Sequence, residues 1–212
     1  MTKQIVIFGC GGHAKVITDI IQATTNHTIA AFFDNTPKNS EFLGHPVFSD
    51  LQQLATFCRT KNITQAAIAI GNNSARRKLA AEASQIGLEL PVLIHPKTVI
   101  SPSAKIGPGT VVMPGVIVNS DAIIESGCIL NSGAVIEHDC SIGAFSHIAP
   151  GSVLCGGVTV GELTLIGARS VAIPLIRIGS QSTLGAGSVV VRDIPENVCA
   201  MGNPAKAKSR TD

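Results

Sequence analysis

The sequence contains no tryptophan and no tyrosine, and only 3% of its 212 residues are aromatic. Charged residues are also sparse, at 14%, and the formal net charge is only +2. Nucleic-acid-binding proteins combine basic patches with aromatic stacking platforms, so these absences argue against that function. No stretch approaches the roughly 20 apolar residues of a membrane-spanning helix. We therefore expect no nucleic acid partner and no insertion into a membrane.

The six cysteines form neither CxxC pairs nor a spacing typical of metal ligands. The apolar start of the chain turns into glycines after a few residues, as a buried strand does and a signal peptide does not. No ligand spacing joins the six histidines either. The sequence thus predicts a cytoplasmic protein with free thiols and without a metal site.

Residues 100–189 repeat with a period of six, which is the main feature of the chain. The first residue of each six is Ile, Val or Leu, except at Ala172, and the fifth is small apart from Ile176. Glycine is frequent at the second position. A period of six fits neither a helix nor a flat strand, and it is typical of a parallel β-helix.

The physical meaning of the repeat follows from its three marked positions. The aliphatic first residue points inward and stacks on its equivalents in neighbouring coils. The small fifth residue occupies a place with little room, and glycine near the second position allows a tight bend. Since three sixes make one triangular coil, the repeat predicts a prism of about five coils.

The part of the chain before the repeat alternates strands and helices. This alternation predicts a parallel sheet of Rossmann type in a domain over residues 1–95, followed by the β-helix domain over residues 96–212. The predicted strands are residues 4–8, 28–33, 65–70 and 90–94; the predicted helices are residues 14–24, 51–59 and one that Ser74 caps and Gly87 ends.

A glycine turn lies between the first strand and the first helix. Gly9, Gly11 and Ala14 satisfy the G-x-G-x-x-[GA] pattern, and Asp34 ends the second strand, where a ribose-binding acid belongs. Such a turn holds a phosphate or pyrophosphate at the helix N-terminus. NAD and a nucleotide-sugar both carry a pyrophosphate, so both remain candidates. His13 stands at the mouth of this loop.

Four segments together are similar to one family: GCGGHAKV, FFDN, IAIGNN and VIEHDCSIGAFSHIAPGS. The family is the bacterial sugar O-/N-acetyltransferases, which include sialic-acid O-acetyltransferases and the UDP-4-amino-sugar N-acetyltransferases of the bacillosamine pathway. The resemblance implies a left-handed β-helix, a homotrimer with active sites between subunits, and acetyl-CoA as co-substrate. It also implies nucleotide-sugar binding by the N-terminal domain, at Gly11, Gly12, His13, Asp34, Asn35 and Gly71.

His138 is the candidate catalytic residue. As the third residue of its six it points away from the core, and acetyl transfer to an amine or hydroxyl needs a base that works at neutral pH. The resemblance places the base at His138 and its supporting acid at Asp139. Aspartate is one methylene shorter than the glutamate of some relatives, so Glu137 is kept as the alternative partner.

The resemblance also implies where acetyl-CoA binds. His147 is expected near the thioester carbonyl, and backbone N–H around Gly156 is expected to stabilise the oxyanion. Ala168 and Ala186 occupy positions at which the family's backbone touches the pantetheine arm.

The resulting hypothesis is an acetyltransferase that moves acetyl from acetyl-CoA to the amino group of a nucleotide-linked sugar of the UDP-4-amino-4,6-dideoxy type, in the synthesis of precursors for bacterial glycans or protein glycosylation. Two alternatives stay open. One is O-acetylation of a sialic acid or another sugar hydroxyl. The other is a non-catalytic, trimeric scaffold that binds NAD or a sugar.

Overall fold

The structure is a computed structural model and describes residues 2–24 and 26–209. It divides into two compact units, Met1–Pro96 and Lys97–Asp212, which places the division one residue beyond the predicted boundary. The first unit is an α/β unit and the second is a prism of short strands.

The α/β unit alternates short strands with helices. The strands are β1 (Lys3–Phe8), β2 (His27–Phe33), β3 (Glu41–Phe42), β4 (His45–Phe48), β5 (Gln65–Ile68) and β6 (Leu93–Ile94), and the helices are α1 (Gly12–Thr24), α2 (Leu51–Lys61) and α3 (Asn73–Gln85). The first five strands form one sheet of order β3-β4-β2-β1-β5. Strand β1 pairs in parallel with β2 and β5, and its last four residues are fully buried.

Helix α3 begins earlier than predicted, because its N-cap is Asn72 and not Ser74. The Asn72 side chain accepts a hydrogen bond from the Ala75 N–H at 2.9 Å, which satisfies one of the free donors at the helix start. Asp50 caps α2 in the same way, with its carboxylate accepting from the Gln53 N–H at 2.8 Å.

The antiparallel hairpin of β3 and β4 was not predicted. Its strands have two and four residues, too short to show an alternating pattern. Leu43 and Gly44 form its turn with positive φ values of 50° and 77°, a conformation that suits the twist of a two-residue hairpin. Because β4 pairs in parallel with β2, the hairpin extends the sheet at the edge beside Asp34.

The prism has three faces, on each of which two-residue strands of successive coils pair in parallel, and face 3 ends in two five-residue strands of which the last is antiparallel. Face 1 contains β7 (Val99–Ile100), β10 (Ile117–Val118), β13 (Val135–Ile136), β16 (Val153–Leu154), β19 (Val171–Ala172) and β22 (Val189–Val190). Face 2 contains β8 (Lys105–Ile106), β11 (Ile123–Ile124), β14 (Ser141–Ile142), β17 (Thr159–Val160) and β20 (Arg177–Ile178). Face 3 contains β9 (Val111–Val112), β12 (Ile129–Leu130), β15 (His147–Ile148), β18 (Leu165–Ile166), β21 (Thr183–Leu184), β23 (Val198–Gly202) and the antiparallel β24 (Ala205–Ser209).

The first and fifth positions of the repeat form the core, as predicted. From residue 110 to residue 190 every first-position and fifth-position side chain is buried. Fifth-position hydroxyls also donate to the backbone of the next coil: Ser152 Oγ bonds the Gly167 carbonyl at 2.8 Å, and Ser146 Oγ bonds that of Gly161 at 2.7 Å. The small fifth residue therefore fills a tight space and joins adjacent coils.

The role predicted for the second-position glycines was wrong. None of those six glycines has a positive φ; the left-handed residue of each turn is the fourth, as at Gly133 and Asp139. Glycine is needed at the second position because a Cβ on Gly107 would lie 2.7 Å from the Ser126 nitrogen in the next coil. On Gly143 it would lie 2.7 Å from the Gly161 carbonyl carbon. These glycines allow coils to approach closely and do not make the bend.

The outer surfaces of faces 1 and 2 differ in chemistry. Face 1 presents one aliphatic β-branched side chain per coil, none of them buried: Val99, Ile117, Val135, Val153, Val171 and Val189. We call this stripe the aliphatic face. The equivalent positions of face 2 are mostly polar: Lys105, Ile123, Ser141, Thr159 and Arg177.

Candidate active site

His138 and Asp139 occupy the turn between β13 and β14. The His138 imidazole is 63% exposed, and its Nδ1 lies 2.8 Å from Asp139 Oδ2. Asp139 adopts a left-handed backbone with φ of 59°, which aspartate tolerates better than most residues. The hydrogen bond to Asp139 raises the pKa of His138, and the carboxylate holds a proton on Nδ1. The Nε2 lone pair is then the basic atom of the neutral ring.

Glu137, the alternative partner, has a different contact. Its Oε2 accepts a hydrogen bond from Asn119 Nδ2 at 2.8 Å, and the residue is half-buried. Its charge contributes less to the raised pKa of His138 than the bond to Asp139 does. The short contact with the imidazole therefore belongs to Asp139, despite its shorter side chain.

Gly156 lies beside His138, one coil further along the prism. A Cβ on Gly156 would sit 2.5 Å from His138 Cε1 and 2.6 Å from Nε2, so the imidazole needs glycine at this position. The Gly156 N–H donates to no group within the described residues. A basic nitrogen and a free N–H donor thus stand together at one corner of the prism, between faces 1 and 2.

His147 lies on β15 of face 3, in contact with Asn131, which the sequence pattern did not reveal. Asn131 Nδ2 is 3.0 Å from His147 Nε2, and the Ser132 N–H donates to Asn131 Oδ1 at 2.8 Å. The second bond fixes the amide, so Nδ2 donates and His147 Nε2 accepts. The 18-residue spacing of the coils places Ile129, not Asn131, opposite His147, so no signal in the sequence points to this contact.

Ala168 and Ala186 lie on neighbouring coils at the corner between faces 3 and 1. Neither N–H donates to any group in the described part of the chain, so both can bind an acceptor such as a pantetheine amide. The predicted residues of the β-helix thus form two groups in one chain. The group of His138 and Gly156 and the group of His147 and the two alanines flank the aliphatic face on its two sides.

In the α/β unit, Asp34 organises the glycine turn. Its Oδ2 accepts from the Cys10 N–H at 3.1 Å, and its Oδ1 accepts from the Thr36 N–H at 3.0 Å. A cavity of about 350 Å³ adjoins this carboxylate. It is lined by Cys10, Gly11, Asp34, Thr36, Pro37, Lys38, Asn39, Glu41, Phe42 and Val47.

Two of the six predicted sugar-site residues, Gly11 and Asp34, line that cavity. The other four do not. Gly12 and Gly71 have open space where a side chain would be, and Asn35 is exposed. Their part in binding remains a prediction.

His13 lies in the first turn of α1, and its Nε2 is buried without a hydrogen-bond partner. Burial, together with the charge of Arg76, lowers the pKa of His13 to about 4. Arg76 is 1% exposed, and its guanidinium donates to the Ile70 carbonyl at 3.2 Å and the Gly71 carbonyl at 3.1 Å. His13 is therefore a neutral ring at neutral pH, unlike a phosphate-binding cation.

Among residues 2–24 and 26–209, no cluster of three or more His, Cys, Asp or Glu side chains could hold a metal ion. Every helix in that part of the chain is too short or too polar to cross a membrane.

Two family models match the chain. The PglD N-terminal domain matches residues 4–83, and the bacterial transferase hexapeptide model of six repeats matches residues 103–138 and 121–156. These matches correspond to the two units of the structure.

Solved structures are similar over almost the whole chain. A variant of perosamine N-acetyltransferase from Caulobacter crescentus, in complex with CoA and GDP-perosamine, is 41% identical, with 99% of each chain covered and a TM-score of 0.93. The acetyltransferase domain of PglB from Neisseria gonorrhoeae, in complex with acetyl coenzyme A, is 36% identical, covering 98% of this chain and 100% of that chain with a TM-score of 0.90.

Curated relatives match over shorter stretches. UDP-N-acetylbacillosamine N-acetyltransferase of Bacillus subtilis is 40% identical over 114 residues, which is 50% of this chain and 49% of that protein. The chain spans about half of that relative's length, and about a quarter of the length of a putative acetyltransferase from Saccharomyces cerevisiae.

The predicted fold, a Rossmann-like α/β domain followed by a left-handed β-helix, is confirmed by these matches. With more than 40% identity to the Caulobacter enzyme over nearly the full length of both chains, the protein belongs to the hexapeptide-repeat sugar N-acetyltransferases that carry a PglD-type N-terminal domain.

Proposed function

We propose that this protein transfers the acetyl group of acetyl-CoA to the amino group of a nucleotide-linked amino-sugar, with His138 as the general base. The observation that carries the proposal is the corner at which His138 meets Gly156. There an exposed imidazole with a free Nε2, a carboxylate on Nδ1 and an unpaired backbone N–H lie together. The relatives solved with CoA and GDP-perosamine, or with acetyl-CoA, support the two substrates.

The reaction follows from these groups. The sugar amine attacks the thioester carbonyl carbon, and His138 Nε2 takes the proton that the nitrogen loses as the C–N bond forms. The carbonyl oxygen gains negative charge, and the Gly156 N–H donates to it. The C–S bond then breaks, and the sulfur of CoA leaves with a proton from the imidazolium. Asp139 keeps the ring oriented and stabilises its charged form.

We also propose a homotrimer. The groups on the two sides of the aliphatic face belong to one reaction but lie at different corners of the prism. A neighbouring copy packed against the aliphatic face would bring its Ala168 and Ala186 toward His138. An unburied aliphatic stripe beside a catalytic residue is typical of such an interface. Light scattering that found a fully active monomer would contradict this assembly.

The nucleotide-sugar is assigned to the α/β unit. Free N–H groups at the start of α1 can bind the diphosphate, and Asp34 is placed to meet the ribose. Gly12→Val should raise the KM for the sugar substrate and leave that for acetyl-CoA unchanged, because open space adjoins Gly12. We place the protein in the cytoplasm, since its six cysteines are free thiols, as in a reducing compartment.

The test is incubation with acetyl-CoA and a panel of GDP-, UDP- and dTDP-linked 4-amino-sugars, with release of the CoA thiol as the readout. We expect thiol release with at least one amino-sugar and none with the matching 4-hydroxy sugar. Release with the hydroxy sugar instead would favour the O-acetyltransferase alternative. Tight NAD binding without thiol release would favour the scaffold.

A further inference from the structure

The residues that line the cavity of the α/β unit follow the order of strands in the sheet. Cys10 and Gly11 come after β1, and Asp34, which accepts from the Cys10 N–H, comes after the neighbouring strand β2. The β3–β4 hairpin lies next to β2 on the other side, and Glu41 and Phe42 of the hairpin also line the cavity. If the glycine turn binds the diphosphate and Asp34 binds the ribose, the β3–β4 hairpin forms the wall of the cavity that contacts the nucleotide base. This step rests on the proposed function.

The wall carries two free charges and one fixed ring. The side chains of Lys38 and Glu41 form no ion pair or hydrogen bond within the described residues. Phe42 is held edge-on against Phe32, with ring centroids 5.0 Å apart and an interplanar angle of 78°. A ring fixed in this way can stack on a base, and stacking by itself does not distinguish one base from another.

The Glu41 carboxylate can make that distinction. An ionised carboxylate only accepts hydrogen bonds, and its two oxygens suit two donors side by side. Guanine offers N1–H and N2–H as such a pair. Uracil and thymine flank their single N–H with carbonyl oxygens, which repel a carboxylate, while adenine and cytosine pair one donor with an acceptor. Lys38 can donate to a carbonyl of guanine or uracil alike, and the amide of Asn39, which also lines the cavity, offers one donor and one acceptor to either base. The carboxylate of Glu41 is therefore the group that discriminates.

We propose that this cavity selects a guanine nucleotide, with Glu41 accepting hydrogen bonds from N1–H and N2–H of the base. The substrate of the proposed acetyl transfer is then a GDP-linked amino-sugar, in contrast to the UDP type that the sequence suggested. A good bidentate pair discriminates between bases by about 5- to 150-fold in affinity. The selectivity resides in a hairpin that the sequence pattern did not reveal.

The test is isothermal titration calorimetry of the full chain with GDP, UDP, dTDP and ADP. We expect GDP to bind about 5- to 150-fold more tightly than the other three. Glu41→Gln should weaken GDP and leave UDP unchanged or tighter, because the glutamine amide offers one donor and one acceptor. Asp19→Asn, which removes an exposed carboxylate of α1 outside the cavity, is the matched control and should leave all four affinities unchanged.

Three outcomes separate the possibilities. Equal binding of GDP and UDP by the wild type, or an unchanged ratio in Glu41→Gln, would overturn the guanine proposal and leave the acetyltransferase function intact. Failure of every nucleotide to bind, with no thiol released from acetyl-CoA, would overturn both. Since Glu41 is exposed, its replacement should not affect folding, and circular dichroism of both variants checks this.

Discussion

The turn that carries His138 and the first turn of α1 place a histidine in opposite surroundings. His138 is 63% exposed and bonded to a carboxylate, and its pKa is raised. The Nε2 of His13 is buried without a partner near a buried arginine, and its pKa falls to about 4. A base for amine acetylation needs an accessible nitrogen and a stabilised charged form, and only His138 has both. Surroundings, not residue type, decide which imidazole can act as the base.

The largest effect in this comparison should come from His138→Ala. The rate of acetyl transfer should fall by about 10²–10⁴-fold, the usual contribution of a positioned general base. Folding and assembly should stay normal, because an exposed side chain leaves no cavity when it is removed. Steady-state thiol release and light scattering measure the two properties.

His13→Ala is the counterpart and should lower kcat far less. If His138→Ala kept wild-type turnover, the base assignment would be wrong and His13 or His147 would take its place.

Replacing Gly156 should disturb the same corner by steric means. In Gly156→Ala the new methyl group occupies the space of the imidazole and pushes it aside, and kcat should fall by about 10²-fold. The control is Gly133→Ala, at which a methyl group would meet nothing within 4 Å. That variant should lose about 1 kcal/mol of stability through its left-handed backbone and keep its kcat. Equal loss of kcat in both would point to general damage of the prism.

Asp139→Asn should cost less than removal of the histidine, because asparagine tolerates the left-handed turn and keeps an acceptor. Without the anion the pKa of His138 falls, so the ring stays neutral to lower pH. The rising limb of the pH–rate profile should then move to lower pH. Glu137→Gln should move that limb less, since Glu137 bonds Asn119. A larger shift in Glu137→Gln would reverse the assignment.

The smallest effect concerns stability at acid pH. Because the pKa of His13 is about 4 in the folded chain and near 6.5 when exposed, the unfolded state binds more protons between these values. His13 therefore favours the folded state above about pH 6.5, and this contribution declines as the pH falls toward 4. His13→Gln should flatten the fall of the melting temperature over this window. An unchanged slope would mean that the imidazole is not desolvated.

The two units also differ in how much of them the sequence predicted. In the prism each position recurs in successive coils, so burial of the first and fifth residues and outward projection of His138 followed from the period. The function of the second-position glycines did not, because a period does not say which backbone atom of the next coil approaches. Asn131 was not predicted for the same reason, because its contact with His147 joins two neighbouring coils.

In the α/β unit each feature occurs once, so an ambiguous sequence pattern cannot be compared with equivalent positions elsewhere in the chain. The hairpin with Glu41 and Phe42 is too short to be periodic, and His13 and Arg76 meet only through the tertiary fold. That Asp34 and Gly11 lie at the end of a strand and in a glycine turn could be predicted, because both features have a local signature; their part in binding stays a prediction. Glu41 and Phe42, which we expect to select the nucleotide base, have no such signature in the sequence.

Stacking of coils in the prism fixes distances along its axis in units of one strand spacing, about 4.8 Å. His138 and Gly156 are separated by one such unit, as are Ala168 and Ala186. A duplicated 18-residue coil would repeat the same buried positions and hydrogen bonds, yet it would displace everything beyond it by one unit. Insertion or deletion of coils can therefore change the distance along the axis between His138 and the residues expected to bind acetyl-CoA only in steps of one coil. Finer adjustment is left to the side chains at the corners.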